Sequence, residues 1–456
     1  MMTDLIVIGG GLSGCEAAWQ AANRGIHVRL YEMRPARLTP AHKSGELAEL
    51  VCSNSLGSDL RNKPAGLIKA ELRRLNSFVV KCADETALPA GGALAVDRDR
   101  FSRTVTEKLE KIQNLEIIRL EVTEIPRSPV IIATGPLTSD RLAEDISAYL
   151  GSGLLYFYDA IAPIVSRESL DMSIAFHASR YNADQETEGD YINCPFTQED
   201  YLAFVDALVH AKRVELPEFD HRADRESSAG SGKYFEACLP IEVLAYRNPI
   251  ALSYGPMRPV GIRNSHDGSR PFAIVQLRQE NLAKTLYNMV GFQTNLTYEE
   301  QRRVFRMIPG LQDAEFVQLG QMHRNTYINA PAALLATTQS RQRADLFFAG
   351  QIAGIEGYAG NIASGLVAGI NAARVLKGET PLIFPPETMI GALLAYTADA
   401  DSLNFQPMKA NHGLMPQLEL RIMSKRDRGF ALAKRALRQL DVFIAENGLD
   451  HDEKTV

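Results

Sequence analysis

The chain has 456 residues, a net charge of −6, 45% hydrophobic and 23% charged residues, which is folded globular make-up with room for two or three domains. No apolar run reaches the roughly 18 residues of a membrane span. Met1-Met2-Thr3-Asp4 leads into the first apolar strand without a basic region or cleavage site, so no membrane association and a cytoplasmic location are expected. The negative charge argues against a general nucleic-acid binder. The five cysteines, at 15, 52, 82, 194 and 238, show no Cys-x-x-Cys spacing, which argues against a disulfide framework and a zinc site; no metal is expected.

The apolar run Leu5-Ile6-Val7-Ile8 is followed by Gly9-Gly10-Gly11-Leu12-Ser13-Gly14. Strand, Gly-x-Gly-x-x-Gly, then helix makes a seat for a pyrophosphate. Gly9 permits the turn, Gly11 lets the backbone approach the phosphates and Gly14 lets the helix pack on the strand. Cys15 to Arg24 reads as that helix and His27 to Tyr31 as a second strand. Glu32 lies 18 residues beyond Gly14, close to the ~20 expected of an acid that binds a ribose hydroxyl. Helical patterns follow around 64–77 and 97–111, then strand-like runs at 116–121 and 129–133, the latter closing on Thr134-Gly135.

From about 150 to 325 short apolar runs alternate with Pro, Gly and charged turns. Thr197-x-x-Asp200 and Thr297-x-x-Glu300 read as capping boxes, and 224–233 as a flexible loop by composition. The alternating style returns at Asp345 to Gly350-Gln351, followed by glycines at 354, 357 and 360 and a helix from about 362 to 377. A last helix, about 424–446, carries Phe430, Ala433, Leu437, Leu440 and Ile444 as one apolar stripe. Between Lys409 and Leu440 there are eight Lys or Arg against two acids.

The expected fold is therefore α/β: a Rossmann-type, glutathione-reductase-like FAD-binding domain split in sequence by an α+β insertion. The expected divisions are 1–150, 151–325 and 326–456. Three strand–glycine elements, at 9–14, 133–136 and 349–350, suit a long dinucleotide such as FAD, whereas a plain NAD dehydrogenase needs only the first. Cys52 lies among small polar residues, in a loop or at a helix start, where a thiol can have a lowered pKa. Cys238 lies on a short strand stopped by Pro240. Cys15, Cys82 and Cys194 read as buried packing residues.

The segments Ala-Glu-Leu-Val-Cys-Ser-Asn-Ser-Leu (48–56), Pro-Ala-Gly-Gly-Ala-Leu-Ala-Val-Asp-Arg (89–98), Ile-Ala-Thr-Gly-Pro-Leu-Thr-Ser (132–139) and Leu-Tyr-Phe-Tyr-Asp-Ala (155–160) are distinctive. So are Cys-Leu-Pro-Ile-Glu-Val (238–243), Gly-Phe-Gln-Thr (291–294), Met-His-Arg-Asn-Thr-Tyr-Ile-Asn (322–329) and Ala-Ser-Gly-Leu-Val-Ala-Gly-Ile-Asn-Ala-Ala (363–373). Nearly end to end, the chain resembles the folate- and FAD-dependent tRNA (uracil-5-)-methyltransferases. The resemblance implies ribothymidine formation at uracil-54 in the tRNA T-loop. It implies carbon from 5,10-methylenetetrahydrofolate and reduction by NADH or NADPH through FAD. FAD would sit on Gly9, Gly10, Gly11, Leu12, Ser13 and Gly14, with Glu32 at its ribose and Thr134, Gly135, Gly350 and Gln351 alongside.

Cys52 and Cys238 match the family's two functional cysteines. Uracil C5 is a poor nucleophile; thiolate addition at C6 makes the ring an enolate whose C5 attacks a one-carbon electrophile. Cys238 is assigned to uracil, and Cys52 to the flavin, as its guard or as a base. His323 and Arg324 are candidates for the folate or the flavin edge, with a structural hydrogen-bonded pair as the other reading. The basic last helix is a candidate for tRNA phosphates, with a solvated charged face as the other reading. A monomer is expected. Three departures from the family pattern touch substrate details: Ala237 in place of glycine, a longer Gly/Ser-rich loop at 220–233, and Gly360-Asn361-Ile362. Competing readings are the same chemistry on ribosomal RNA, wobble-uridine modification by a related FAD enzyme, and a non-catalytic tRNA-binding flavoprotein.

Overall fold

The computed structural model describes residues 4–39, 41–151, 153–160, 162–180, 189–214, 239–320, 322–403, 405–419 and 422–449, with the backbone alone at 156–160 and 322–324. Cys238 and the 224–233 loop lie outside the described residues.

The N-terminal 150 residues carry β1 (Leu5–Ile8), α1 (Leu12–Ala22), β2 (Val28–Tyr31), β3 (Ser55–Ser58), α2 (Pro64–Arg74), α3 (Phe78–Glu85), β4 (Ala87–Leu88), β5 (Ala93–Val96), α4 (Arg98–Glu110), β6 (Leu115–Ile118), β7 (Val130–Ile132) and α5 (Asp140–Leu150). Then come β8 (Leu155–Ala160), β9 (Ile164–Ser166), β10 (Phe176–Ala178), β11 (Tyr191–Phe196), α6 (Gln198–His210), α7 (Ile241–Arg247), α8 (Ala251–Tyr254), β12 (Ala273–Gln279), β13 (Leu286–Met289), α9 (Tyr298–Phe305) and β14 (Phe316–Gln318). The chain continues with β15 (Met322–Tyr327), α10 (Ala330–Ala333), β16 (Leu346–Phe348), β17 (Ile355–Glu356), α11 (Tyr358–Leu376), α12 (Met389–Asp399), β18 (Met408–Lys409) and α13 (Lys425–Glu446).

Five strands form a parallel sheet in the order β16-β7-β1-β2-β6. Leu5 pairs with Val28, Ile6 with Val130, and Leu346 with Val130. All four residues of β1 are buried, as a parallel strand covered on both faces requires. The protein is thus α/β with a Rossmann-type sheet, and β16, about 340 residues after β1, closes it. A second sheet has the order β10-β11-β12-β13-β9-β14, and every pair in it is antiparallel. The antiparallel ribbon β8–β15 joins family segments 155–160 and 322–329, pairing His323 with Asp159 and Arg324 with Tyr158.

Buried carboxylates tie helices together where apolar contact cannot. Glu16 accepts from Ser77 Oγ, Phe78 N and Val79 N at the start of α3. Glu71 accepts from Met389 N and Ile390 N at the start of α12. Both satisfy helix N-termini that would otherwise be orphaned in the core. Thr197 and Thr297 cap α6 and α9 by accepting from the backbone N–H three residues on.

α13 departs from the expected stripe. Ala433, Leu437, Leu440 and Ile444 are buried, but Phe430 is 47% exposed, and Arg426 lies over its ring at 5.9 Å. The inward place one turn before Ala433 belongs to Gly429, whose missing Cβ would lie 2.4 Å from Asn62 O. Close approach to the residues just before α2 selects that glycine and turns Phe430 outward.

Candidate functional site

A cleft opens at the carboxyl ends of β1, β2 and β7, where ligands bind in open parallel sheets. It takes in about 1010 Å³ of space between the atoms, open solvent included. Gly9, Gly10, Gly11, Leu12, Ser13, Glu32, Thr134, Gly135 and Gln351 all line it, so residues about 340 positions apart in sequence meet at one wall. Gly9 has φ +103°, and a Cβ at Gly14 would lie 1.8 Å from Gly9 O; neither place accepts a side chain. A Cβ at Gly11 would meet nothing within 4 Å. That open face on the cleft is where a pyrophosphate can approach the backbone.

The late glycine loop is fastened to the first. Ser13 Oγ donates to Asn361 O at 2.8 Å, and Ser364 Oγ accepts from Gly350 N at 2.8 Å. A Cβ on Gly350 would lie 2.3 Å from Ser13 Oγ. Gly350 therefore supports the wall, while Gln351 faces the cleft and donates to Glu356 Oε1 at 2.6 Å. The ribbon reaches the same loop through Ile328 N, which donates to Ile352 O at 2.8 Å.

Glu32 ends β2 and is buried. It accepts from Gly10 N at 2.8 Å and from Arg34 N, Nε and Nη2 at 3.0, 2.9 and 3.1 Å. Burial alone would raise its carboxyl; the hydrogen bonds and charge of Arg34 outweigh burial and hold it below the usual carboxylate range. Four bonds occupy the roughly four acceptor positions of a carboxylate, so a ribose hydroxyl at Glu32 shares or replaces one of them. Arg34 also reaches Glu49 at 3.1 Å. Sequence reasoning missed Arg34, although a cation two residues after the strand-ending acid was visible.

The Cys52 loop forms the edge of the cleft. Val51 and Tyr358 line the cleft, and Tyr358 Oη accepts from Cys52 N at 3.0 Å and Ser53 N at 3.1 Å. Asn54 Nδ2 donates to Val96 O at 3.0 Å and Gln279 O at 2.9 Å. Arg278, on β12, donates from Nε to Asn54 Oδ1 at 2.8 Å and from Nη2 to Ser53 Oγ at 2.6 Å. Arg98 bonds Leu50 O and, at 2.6 Å, Glu280 Oε1. Cys52 sits in a loop, as expected. Sequence reasoning missed Tyr358, Asn54 and Arg278, although Arg278 is the one charged residue of its strand and directly follows the largely apolar run 272–277.

Cys52 is partly exposed; Cys15, Cys82 and Cys194 are buried. Burial raises all three of those thiols, Cys82 and Cys194 to about 12, which leaves them protonated and inert. Beyond Cys238, α7 is seated by Glu242, which accepts from Thr294 Oγ1 at 2.8 Å and Asn295 N at 2.7 Å; this joins family segments 238–243 and 291–294. Only the backbone of His323 and Arg324 is described.

The glucose-inhibited division protein A family model matches residues 4–380. A protein of Pelotomaculum thermopropionicum named methylenetetrahydrofolate–tRNA-(uracil-5-)-methyltransferase TrmFO is 55% identical, over 96% of this chain and 97% of its own. Its namesake in Enterococcus faecalis is 52% identical, over 96% and 98%.

The chain belongs to this methyltransferase family.

Aquifex aeolicus GidA, a solved structure, superposes with a TM-score of 0.69 at 17% identity, over 99% of this chain and 74% of that one. That likeness shows the shared fold alone. In this chain the cleft and the Cys52 loop are adjacent: a glycine-lined cleft with a partly exposed thiol in the loop at its edge.

Proposed function

We propose that this chain methylates C5 of the T-loop uridine (uracil-54) of tRNA to ribothymidine. Carbon comes from 5,10-methylenetetrahydrofolate and reduction from NADH or NADPH, with FAD in the cleft. The observation that carries the reading is the meeting of Gly9–Ser13, Glu32, Thr134-Gly135 and Gln351 with Val51 and Tyr358 around one cleft, beside a thiol held by its own backbone.

The residues fit FAD. Gly11 leaves the pyrophosphate its approach, the N-terminus of α1 faces that charge, and Glu32 presents a held carboxylate to the adenosine ribose. FAD, when bound, supplies the redox relay between the reduced nicotinamide and the one-carbon unit.

Cys238 is assigned as the nucleophile. Its thiolate adds to uracil C6, forming a C–S bond as the C5=C6 electron pair moves into the enolate. C5 then forms the new C–C bond to the methylene carbon as the C=N electron pair of the one-carbon iminium returns to the folate nitrogen. The C5 proton leaves as the C–N bond to the carrier breaks, with that pair departing on nitrogen and leaving an exocyclic methylene. A hydride, whose electrons come from the reduced nicotinamide, adds to that methylene as the C–S bond breaks and the thiolate departs, completing the methyl group. Cys52, at the cleft edge, guards the flavin or takes up a proton. His323 and Arg324 are assigned to the folate or flavin edge, and residues 151–325 to the substrate. α13, with α2 and the residues just before it, offers the RNA a groove lined by Arg61, Arg74, Phe430, Lys434 and Arg438.

Unmodified tRNA incubated with the protein, labelled methylenetetrahydrofolate and NADPH is expected to carry the label at C5 of the T-loop uridine. Label at the wobble position or on ribosomal RNA, or none, overturns the reading. Cys238→Ala is expected to cost on the order of 10³-fold or more in rate and to abolish the covalent adduct with a 5-fluorouracil T-loop RNA. An adduct that persists moves the nucleophile to Cys52.

A further inference from the structure

Arg278 is 8% exposed, and among the described residues no carboxylate lies within ion-pair distance of it. Its neighbours do otherwise: Arg98 pairs with Glu280, and Arg34 with Glu32 and Glu49. A buried guanidinium without a counter-ion costs several kcal/mol unless an anion or well-placed acceptors face it. Its acceptors here are Asn54 Oδ1 and Ser53 Oγ, neutral groups on the two residues that follow Cys52. From the opposite side, Tyr358 holds the Cys52 and Ser53 N–H groups. The loop is gripped between β12 and α11, with the Arg278 guanidinium on the β12 side and no carboxylate in direct contact with it among the described residues.

We propose that Arg278 is a positioning residue for Cys52: it fixes the Cys52–Asn54 loop against β12 and supplies the positive charge that keeps the Cys52 sulfur a thiolate at the cleft edge.

The other charged and titratable groups around this loop are Arg98 from α4, Glu280 beyond the end of β12, Tyr191 from β11 and Tyr358 from α11. Burial lowers the Arg278 guanidinium, while Glu280, Tyr191 and Cys52 push it back up; the thiolate and the cation favour each other. Burial likewise raises the Tyr358 phenol, so Tyr358 stays neutral beside the sulfur. A stable thiolate suits both roles given to Cys52 above, so the inference rests on that reading for its purpose but not for its measurement.

The test is the pH dependence of iodoacetamide alkylation at Cys52 in full-length protein carrying Cys238→Ala, read by peptide mass spectrometry. The buried thiols at 15, 82 and 194 stay unreacted. With Arg278 in place the midpoint is expected below the roughly 8.5 of a free thiol. Arg278→Gln is expected to raise it by about one unit, a roughly tenfold loss of thiolate at neutral pH. Arg278→Lys, which keeps the charge, is expected to hold it near the starting value. Glu280→Gln removes a counter-charge and is expected to lower it, which gives a second reading if Arg278→Gln does not fold. Equal midpoints with and without the Arg278→Gln substitution, or rates changed equally at every pH, overturn the proposal, as does an unmoved midpoint in Glu280→Gln. Label transfer by the unsubstituted protein tests the methylation reading separately, since failure there leaves the alkylation midpoints as they are.

Discussion

Two arginines are buried near the cleft, and they live differently. Arg34, beside the glycine fingerprint, is 2% exposed and lies between Glu32 and Glu49 at 2.9 and 3.1 Å. Arg278, beside Cys52, has neutral oxygens for partners. The first charge is taken up in holding the fingerprint end of the cleft together. The second, on the proposal above, acts on the Cys52 sulfur. The parallel sheet thus holds its buried cation between two carboxylates, and the antiparallel sheet contributes one strand end that brings a cation to the Cys52 loop. A long dinucleotide needs rigidity at its phosphates; a thiol chemistry needs an electrostatic environment at its edge. On the proposed function the two regions divide those tasks.

The sharpest way to break that comparison is to remove Arg34. Arg34→Met leaves the buried Glu32 and the largely buried Glu49 without their cation, a loss of about 3–5 kcal/mol. The sign of the pH dependence should also change. With Arg34 present the Glu32 carboxyl is held below its ordinary value, so its contribution to stability exists above the usual carboxylate range and is lost as pH falls through the lowered value. In Arg34→Met burial dominates, the Glu32 value rises, and stability falls with increasing pH instead. The gap between the two proteins in denaturant midpoint is therefore expected to widen from about pH 4 to about pH 7, roughly the span across a carboxylate titration. A gap that stays constant would show that Arg34 acts through packing and not through charge.

Gly11→Leu asks whether the two regions can be separated. No protein atom lies within 4 Å of a Cβ built there, so the thermal midpoint of the cofactor-free protein should be unchanged. The side chain enters the space that a pyrophosphate would use, and FAD affinity is expected to fall on the order of 100-fold, about 2.7 kcal/mol. The alkylation midpoint of Cys52 should stay where it is. Equilibrium dialysis against FAD measures the first effect. Unaltered affinity would move the phosphates away from the fingerprint.

Much of the first region was legible in the sequence. The strand–glycine–helix spacing from Leu5 to Gly14 marks α1, though α1 begins at Leu12 and not Cys15, because Gly11 already serves as its N-cap. α11 likewise begins at Tyr358, four residues before the expected start, since the glycine at 360 is accommodated within the helix. The capping threonines at 197 and 297 stand where the pattern put them. What could not be read was the company that residues keep across the sheets. Arg278 and Asn54 are 224 positions apart, and no local period relates them. Tyr358 meets the Cys52 amide from 306 positions away. The Phe430 expectation failed for the same reason: whether 429 or 430 turns inward depends on how closely α13 approaches Asn62, a tertiary fact that a helical stripe does not contain.

The smallest expected effect concerns the groove between α2 and α13, which belongs to neither region. Its cations are not equivalent. Arg74 already bonds Leu437 O at 2.8 Å and pairs with Asp441. Lys434 and Arg438, among the described residues, have no carboxylate within ion-pair distance. If the groove takes RNA phosphates, Lys434→Ala and Arg438→Ala should each weaken tRNA binding a few-fold. Each should also reduce the salt slope by roughly 0.7–0.9. Arg74→Ala should do much less, because its charge is already compensated. Phe430, exposed with Arg426 over its ring, offers a stacking face within the same row, four residues from each of Arg426 and Lys434 and so about 6 Å along the helix from each. Filter binding at several salt concentrations separates the cases. Equal, small effects for all three cations would describe a solvated charged face, and the RNA would then have to be held by the strand ends around the cleft and by the antiparallel sheet alone.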